Sequence, residues 1–479
     1  MVVPEQLKED QMAEETWHAA RLIPTSGISG ADEQERRAVS ALLAVVGAVK
    51  EYARMVLRPL GAPSGTLECY IEVPFALPGD GREVRPDGLI RVVRGQRAWT
   101  ALVEVKTGTN VLEVAQLNDY LDVARVQGFE ALLTISNEIA PAPGQHPTTD
   151  VDRRKTKKVA LHHLSWPELL AGAQIQKEHR GVADPDQAWI LGELIRYLEH
   201  PRSGAVEYND MGPAWVDVRN AVAAGTLRPA DKTVPQVTGR FDALLRFAAL
   251  RLGRQLGIDV QVGLTRRELA DPALRSQSLT AELVNSGTMT GALRIPNTAG
   301  SVMVIADLRT KLVTCQLDID APREGRPTTR VNWLTRQLTR ASDQVRLESF
   351  AAHDRGAGAA ELLGAVRSDP AKLVLDPAKE LRSFRLAMTF PMGGKRGTGR
   401  DSFIDGVLNA VDTFYGEVVQ GLKVWAPTAP RLREAPPEVP TSGAGAVLAS
   451  TALSSQDEEL KPPQTAPGPL GPVAPPAVN

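Results

Sequence analysis

The sequence predicts an α/β protein: a mixed sheet flanked by helices, followed by a separate α+β domain and a disordered tail. Three observations predict it. Between residues 31 and 170, apolar β-branched runs alternate with stretches of helical periodicity. In the second half, short strand-like runs dominate, with helices between some of them. From about residue 426 aromatic residues disappear and Pro, Ala, Ser and Thr take over, which leaves too little apolar surface to fold. The division that follows is a mobile polar arm over 1–20, a first domain over 21–180, a second over 181–425, and the tail over 426–479.

Residues 31–57 read as one helix. Its acidic start, with Asp32, Glu33 and Glu35, suits the positive end of the helix dipole. Glu35 lies in register with the apolar stripe Ala38, Leu42, Val45 and Val46. Residues 69–75, CYIEVPF, read as a strand that carries Glu72 inside it. Residues 88–93, GLIRVV, and 98–107, AWTALVEVKT, read as the two strands of a hairpin, with Gly95 in the turn between them. Strand side chains alternate between faces, so Glu104 and Lys106 share one face and Val103 and Val105 the other. The hairpin brings Asp87, at the start of one strand, beside Glu104 and Lys106 at the end of the other. Pro86, lacking an N–H, fits just outside the ladder. An acid and a base at the end of an apolar strand are costly unless paired or bound to a metal. Residues 111–126 read as an amphipathic helix capped by Thr109-Asn110, with Gln116 and Tyr120 one turn apart on one face. Residues 130–136 and 159–164 read as further strands. Ser165 then caps a helix, with Pro167 in its first turn.

Asp87, then Glu104-x-Lys106, then Gln116-x-x-x-Tyr120, each on its expected element, resembles the PD-(D/E)xK nuclease superfamily, and the last motif its RecB-like branch. The resemblance covers roughly residues 20–175. It implies a restriction-endonuclease-like sheet and a magnesium (or manganese) ion held by Asp87, Glu104 and the carbonyl of Val105. A first-helix glutamate would complete the site, with Glu35 the better candidate, Glu33 the alternative and Glu72 undecided. Mg²⁺ prefers oxygen ligands and keeps several waters. It would acidify a bound water and neutralise charge on the phosphate. Lys106 would orient or help activate that water, and Gln116 and Tyr120 would position the scissile region. The activity implied is hydrolysis of DNA phosphodiester bonds by a cytoplasmic enzyme of bacterial type, endo- or exonucleolytic, in defence, repair or stress response. The rival reading keeps the fold as a non-catalytic nucleic-acid-binding or assembly module.

Composition bounds these readings. The chain has 479 residues, 43% of them hydrophobic, and a net charge of −2, so DNA would have to be met by local basic patches. Cys69 and Cys315 are the two cysteines, which argues against a disulfide scaffold or a structural zinc site and suits a reducing compartment. The N-terminus lacks a secretory h-region, and the longest apolar run, 38–49, is too short to span a bilayer. No membrane partner is expected; a second copy or a protein partner would dock through the C-terminal domain.

Elsewhere the signals are weaker. Arg153, Arg154, Lys155, Lys157 and Lys158 suit phosphate contacts and a solvated loop equally well. His162 and His163 are strand neighbours facing opposite ways, which argues against a shared ion. In the second domain, helices are expected at 186–199, 213–224, 237–256, 329–341 and 402–422. Strands are expected at 301–308, 311–319, 344–350 and 383–390. On the 329–341 helix, Asn332, Arg336 and Arg340 beside Trp333 read first as a solvated face and second as a phosphate grip. The glycine-rich stretch 393–400, GGKRGTGR, lacks the Walker order and reads as a basic turn.

Overall fold

A computed structural model of the chain describes residues 22–23 and 30–427, apart from Asp80, 141–143, Thr149, Arg355 and Ala357. The expected N-terminal arm, and the tail from residue 428 onward, lie outside the described residues. The described residues up to Ala426 form one compact unit built on two main sheets.

The first sheet is mixed and five-stranded. Its strands are β1 (Thr66–Ile71), β4 (Gly88–Arg94), β5 (Arg97–Val105), β6 (Ala131–Ser136) and β7 (Ala160–Ser165), side by side in the order β1-β4-β5-β6-β7. The pairs β1–β4 and β4–β5 are antiparallel, while β5–β6 and β6–β7 are parallel. A two-stranded flap, β2 (Phe75–Ala76) with β3 (Glu83–Val84), precedes β4. The hairpin turn is where the sequence places it, with Gly95 at φ 62°. The strand expected at 69–75 instead ends at Ile71, and Glu72 turns out of it at φ 50°.

Helices cover both faces. On one lie α1 (Ala31–Ala48), α2 (Lys50–Leu57), α5 (Trp166–Ile175) and α6 (Pro185–Glu199), packed on Ile90, Val92, Ala101, Val103, Val105, Leu133 and Ile135. On the other lies α3 (Val114–Gln127), packed on Leu89, Leu102 and Leu132. A four-residue helix, α4 (Arg153–Thr156), precedes β7. Residues 31–57 are therefore two helices, not one. Val49 is extended at φ −104°, ψ 99°, and its fully buried β-branched side chain suits that conformation. Gly88 lets α1 approach β4, since a Cβ there would sit 2.6 Å from Leu43 Cδ1.

α6 was expected in the second domain. Its Leu191, Leu194, Ile195, Tyr197 and Leu198 instead fill the core of the first sheet. The first core thus extends to about Ala205. A boundary at 181 follows sequence order, but this helix packs back on α1 and α5.

The second sheet is wholly antiparallel. It contains β8 (Gln261–Val262), β9 (Thr288–Arg294), β10 (Val302–Asp307), β11 (Leu312–Asp320), β12 (Arg346–Ala351), β13 (Ala360–Leu362) and β14 (Leu381–Pro391), in the order β13-β12-β14-β11-β10-β9-β8. Around it run α7 (Trp215–Ala224), α8 (Val234–Leu256), α9 (Arg266–Ala270), α10 (Pro272–Ser286), α11 (Pro327–Gln337), α12 (Leu363–Ser368) and α13 (Phe403–Glu417). One core of Phe241, Leu245, Val304, Cys315, Phe384 and Phe403 joins helices and sheet. α8 also meets α5, where Arg246 pairs with Glu168 and donates to the carbonyl of Ala140.

Candidate active site

Three sequence-selected residues meet where β5 ends. β4 runs antiparallel to β5, so the start of one lies beside the end of the other. Asp87, just before β4, accepts a hydrogen bond from the backbone N–H of Val105 at 2.7 Å. Glu104 points to the α3 face, as Leu102 does, and is 1% exposed. Lys106 Nζ lies 2.7 Å from Glu104 Oε1 and 3.5 Å from Glu35 Oε2. The Lys106 backbone is held on both sides: its N–H donates to Ile135 and its carbonyl accepts from Trp166 Nε1.

The electrostatics follow from that crowding. Burial first, then the neighbouring Asp87 charge, pushes the Glu104 carboxyl up to about 8. Burial also raises Asp87, against the Val105 N–H and Lys106, which favour its charge. For Lys106, burial opposes the charged form, but Glu104, Glu35 and Asp87 outweigh it and leave the pKa raised. Lys106 is therefore a lasting cation here, suited to donating hydrogen bonds rather than taking a proton.

Glu35 reaches the same point from the first turn of α1, across the end of the sheet. Its Oε1 accepts from the Thr107 N–H at 3.2 Å and from Asn110 Nδ2 at 2.8 Å. It thus pins the loop after β5 as well as facing Lys106. Glu33 pairs with Arg37 one helical turn on, and Glu72 lies within 3.9 Å of Arg36 on the surface. Gln116 and Tyr120 hydrogen-bond each other at 3.1 Å, and the Tyr120 hydroxyl donates to the carbonyl of Arg85 at 3.2 Å. That bond anchors the segment leading into Asp87. Burial, then the Glu104 charge, raises the Tyr120 pKa, so the hydroxyl keeps its proton.

Sequence reasoning missed the residues that hold this loop. Thr109-Asn110 was expected to cap α3, but α3 starts at Val114, and Asn110 serves Glu35 instead. Thr107 Oγ1 donates to Gln34 Oε1 at 3.0 Å. Gly204 closes the back of the site, where a Cβ would come 2.4 Å from Gln34 and 2.7 Å from Thr107, and its φ is 76°. Its carbonyl accepts from Gly108 and from Asn137. These partners are far apart in sequence, and no local pattern marks them.

Beside Glu104 on the same face runs a polar row. β5, β6 and β7 pair Glu104 with Thr134 and Thr134 with His163. Thr134 Oγ1 lies 2.7 Å from His146 Nε2 and 2.9 Å from His163 Nδ1. His146 Nδ1 lies within hydrogen-bond reach of both the N–H and the carbonyl of Thr148. His163 Nε2 donates to the Glu138 carbonyl, so its Nδ1 accepts from Thr134. His162 sits on the opposite face, as alternation requires.

A resident cation fits part of this site. Both Glu104 oxygens are buried, Lys106 Nζ lies against one of them, and Asp87 faces the carboxyl with a like charge. A buried and a half-buried carboxyl side by side are a donor set that a hard divalent ion takes, with waters completing its shell. Among the described residues, no group of three His, Cys, Asp or Glu side chains is arranged to hold a metal ion. Glu35 spends its Oε1 on protein donors.

The other sequence candidates are structural or exposed. Lys155 pairs with Asp122, while Arg153, Arg154, Lys157 and Lys158 are exposed. The 393–400 turn is tied down: Trp215 and Arg219 donate to the Gly394 carbonyl, and the Met211 N–H to that of Arg396. Arg336 and Arg340 are exposed and Trp333 half-buried, whereas Arg330 is buried against three carbonyls. No helix among the described residues is long and apolar enough to cross a membrane.

Comparison with protein-family models gives no match, and comparison with curated proteins gives none either.

Proposed function

We propose that this chain hydrolyses DNA phosphodiester bonds with a divalent cation at the end of β5. The observation that carries the reading is Glu104, a buried carboxyl at the end of β5 that faces Asp87 and is touched by Lys106. Asp87 and Glu104 would hold Mg²⁺ or Mn²⁺, with the Val105 carbonyl as the further oxygen the resemblance implies. The cation supplies an acidified water and neutralises charge on the phosphate.

The protein's own groups do the rest. Asp87 is set by the Val105 N–H below it and by Tyr120, which holds Arg85 two residues before it. Lys106 stays protonated and donates to the water or to a phosphate oxygen, stabilising charge as it builds. Water oxygen bonds to phosphorus as the ester oxygen leaves and takes up a proton. Glu35 keeps the Lys106 loop in place. The second sheet, under this reading, recognises the substrate or a protein partner.

The rival reading is a nucleic-acid-binding or assembly module without catalysis. The observation favouring it is that the Lys106 ammonium already sits on Glu104. One assay separates the two: full-length protein on supercoiled, linear and single-stranded DNA with Mg²⁺, Mn²⁺ or EDTA. Cation-dependent cleavage lost in Glu104→Gln supports the enzyme. Inertness with every substrate and metal, alongside DNA binding indifferent to EDTA, supports the module.

A further inference from the structure

A second feature lies away from this site, between α2 and the edge strand β1. It is a groove of about 710 Å³, within the range usual for small-ligand sites of about 300–1,000 Å³. Its floor is aliphatic: Ala62, Pro63 and Leu67 are half-buried over the core residues Val46, Ala53, Leu57 and Val92, and no aromatic or acidic side chain lines it. Its rim carries Lys50, Arg54 and Arg58, one helical turn apart on a single face. All three are exposed, and no ion pair holds any of them among the described residues. Like charges at that spacing repel one another. The Ser64 and Thr66 side chains add hydroxyls at the mouth.

Gly47 deepens the groove. It sits in the last turn of α1, where glycine weakens a helix, and yet a Cβ there would meet only Cys69 Sγ, at 4.0 Å. The missing side chain is therefore not demanded by packing; its effect is to leave space above the aliphatic floor.

We propose that this groove binds a single-chain aliphatic anion, with its hydrocarbon on the α2–β1 floor and its carboxylate among Lys50, Arg54 and Arg58. The absence of an aromatic platform disfavours nucleobases. A phosphodiester backbone would use the cations but not the aliphatic floor. The site lies at the other end of α1 from Glu35, so its occupation is separate from the chemistry proposed above.

The test is calorimetric titration of the full-length protein with dodecanoate below its micellar concentration. Acetate, inorganic phosphate and a short DNA duplex serve as comparators. The expected result is saturable one-site binding of dodecanoate and none of acetate or phosphate. Arg54→Glu with Arg58→Glu should weaken it about tenfold or more by reversing the rim charge. Gly47→Leu should weaken it with every cation in place, and covers the case in which the charge reversal does not fold. No saturable binding, or equal affinity in wild type and Gly47→Leu, overturns the proposal. So does duplex binding that the charge reversal abolishes while dodecanoate binds as before, which would make the stripe a phosphate track.

Discussion

Trp166, the first residue of α5, donates its indole N–H to the backbone carbonyl of Lys106 at 2.9 Å. The same residue is 1% exposed and packs in the core under the sheet. Core packing and site geometry thus meet in one side chain. The hydrogen bond, with that from the Lys106 N–H to Ile135, fixes the backbone from which the ammonium swings.

Trp166→Phe keeps an aromatic ring in the core and removes the donor. The Lys106 carbonyl then loses its partner, at a cost of about 1–3 kcal/mol. Urea denaturation should show the midpoint falling with an unchanged slope, since the same surface is exposed on unfolding. A midpoint within error of wild type would mean the bond contributes nothing.

Glu104→Gln keeps the shape of the site and removes the carboxylate beside Lys106. What the variant loses is the charge that a cation needs. Mg²⁺ should raise the melting temperature of the wild type by mass action but not that of Glu104→Gln. A Mg²⁺-induced rise of equal size in both would place the ion elsewhere.

The hairpin was legible because its signals are local. Alternating apolar residues on both sides of Arg94-Gly95 fix register and turn together, and register alone puts Asp87 opposite the end of β5. The same locality explains the misses. Asn110 looks like a cap because the next residues are helical in pattern, but its partner, Glu35, is 75 residues away. β9, TMTGALR, is built of small and polar residues, so its alternation is faint until Met289 and Leu293 are seen in the core. α10 escaped notice for a related reason: Leu279 and Leu283 are its only fully buried residues. α6 belongs to the first core through an amphipathic face that names no partner in the sequence. His146 sits in a polar loop, and only the fold brings it to Thr134.

The Thr134 row gives a pH signature. Burial, then the His163 charge, lowers His146 to about 4; burial, with Arg246 nearby, lowers His163 to about 4, against 6.5 when exposed. Between those values the unfolded chain binds protons that the folded one refuses, so this stabilisation is full above about 6.5 and is lost as pH falls towards 4. Glu104 acts in the opposite sense, losing stability as pH rises from 4.5 to about 8. The readout is therefore the difference between wild type and His163→Gln, from urea midpoints at several pH values. That difference should shrink steadily below pH 6.5; a constant offset would mean the ring is not held neutral.

The last prediction concerns Asp87, Glu104 and Lys106 as a unit. They touch one another: Lys106 reaches Glu104 at 2.7 Å, and Asp87 and Glu104 each shift the other's titration. Groups that hold one ion and one water cannot be removed piecemeal, because each loss leaves the others misplaced. Asp87→Ala, Glu104→Ala and Lys106→Ala should each remove most cleavage, and a double variant should be little worse than the worse single. The cation separates the roles. Asp87→Ala and Glu104→Ala should weaken Mg²⁺ binding, whereas Lys106→Ala should spare or strengthen it, since an ammonium at the carboxylates competes with the ion. Cleavage rate and Mg²⁺ titration on the same variants decide it. Full cleavage in Lys106→Ala, or additive losses in the double, would break the unit and favour the non-catalytic reading.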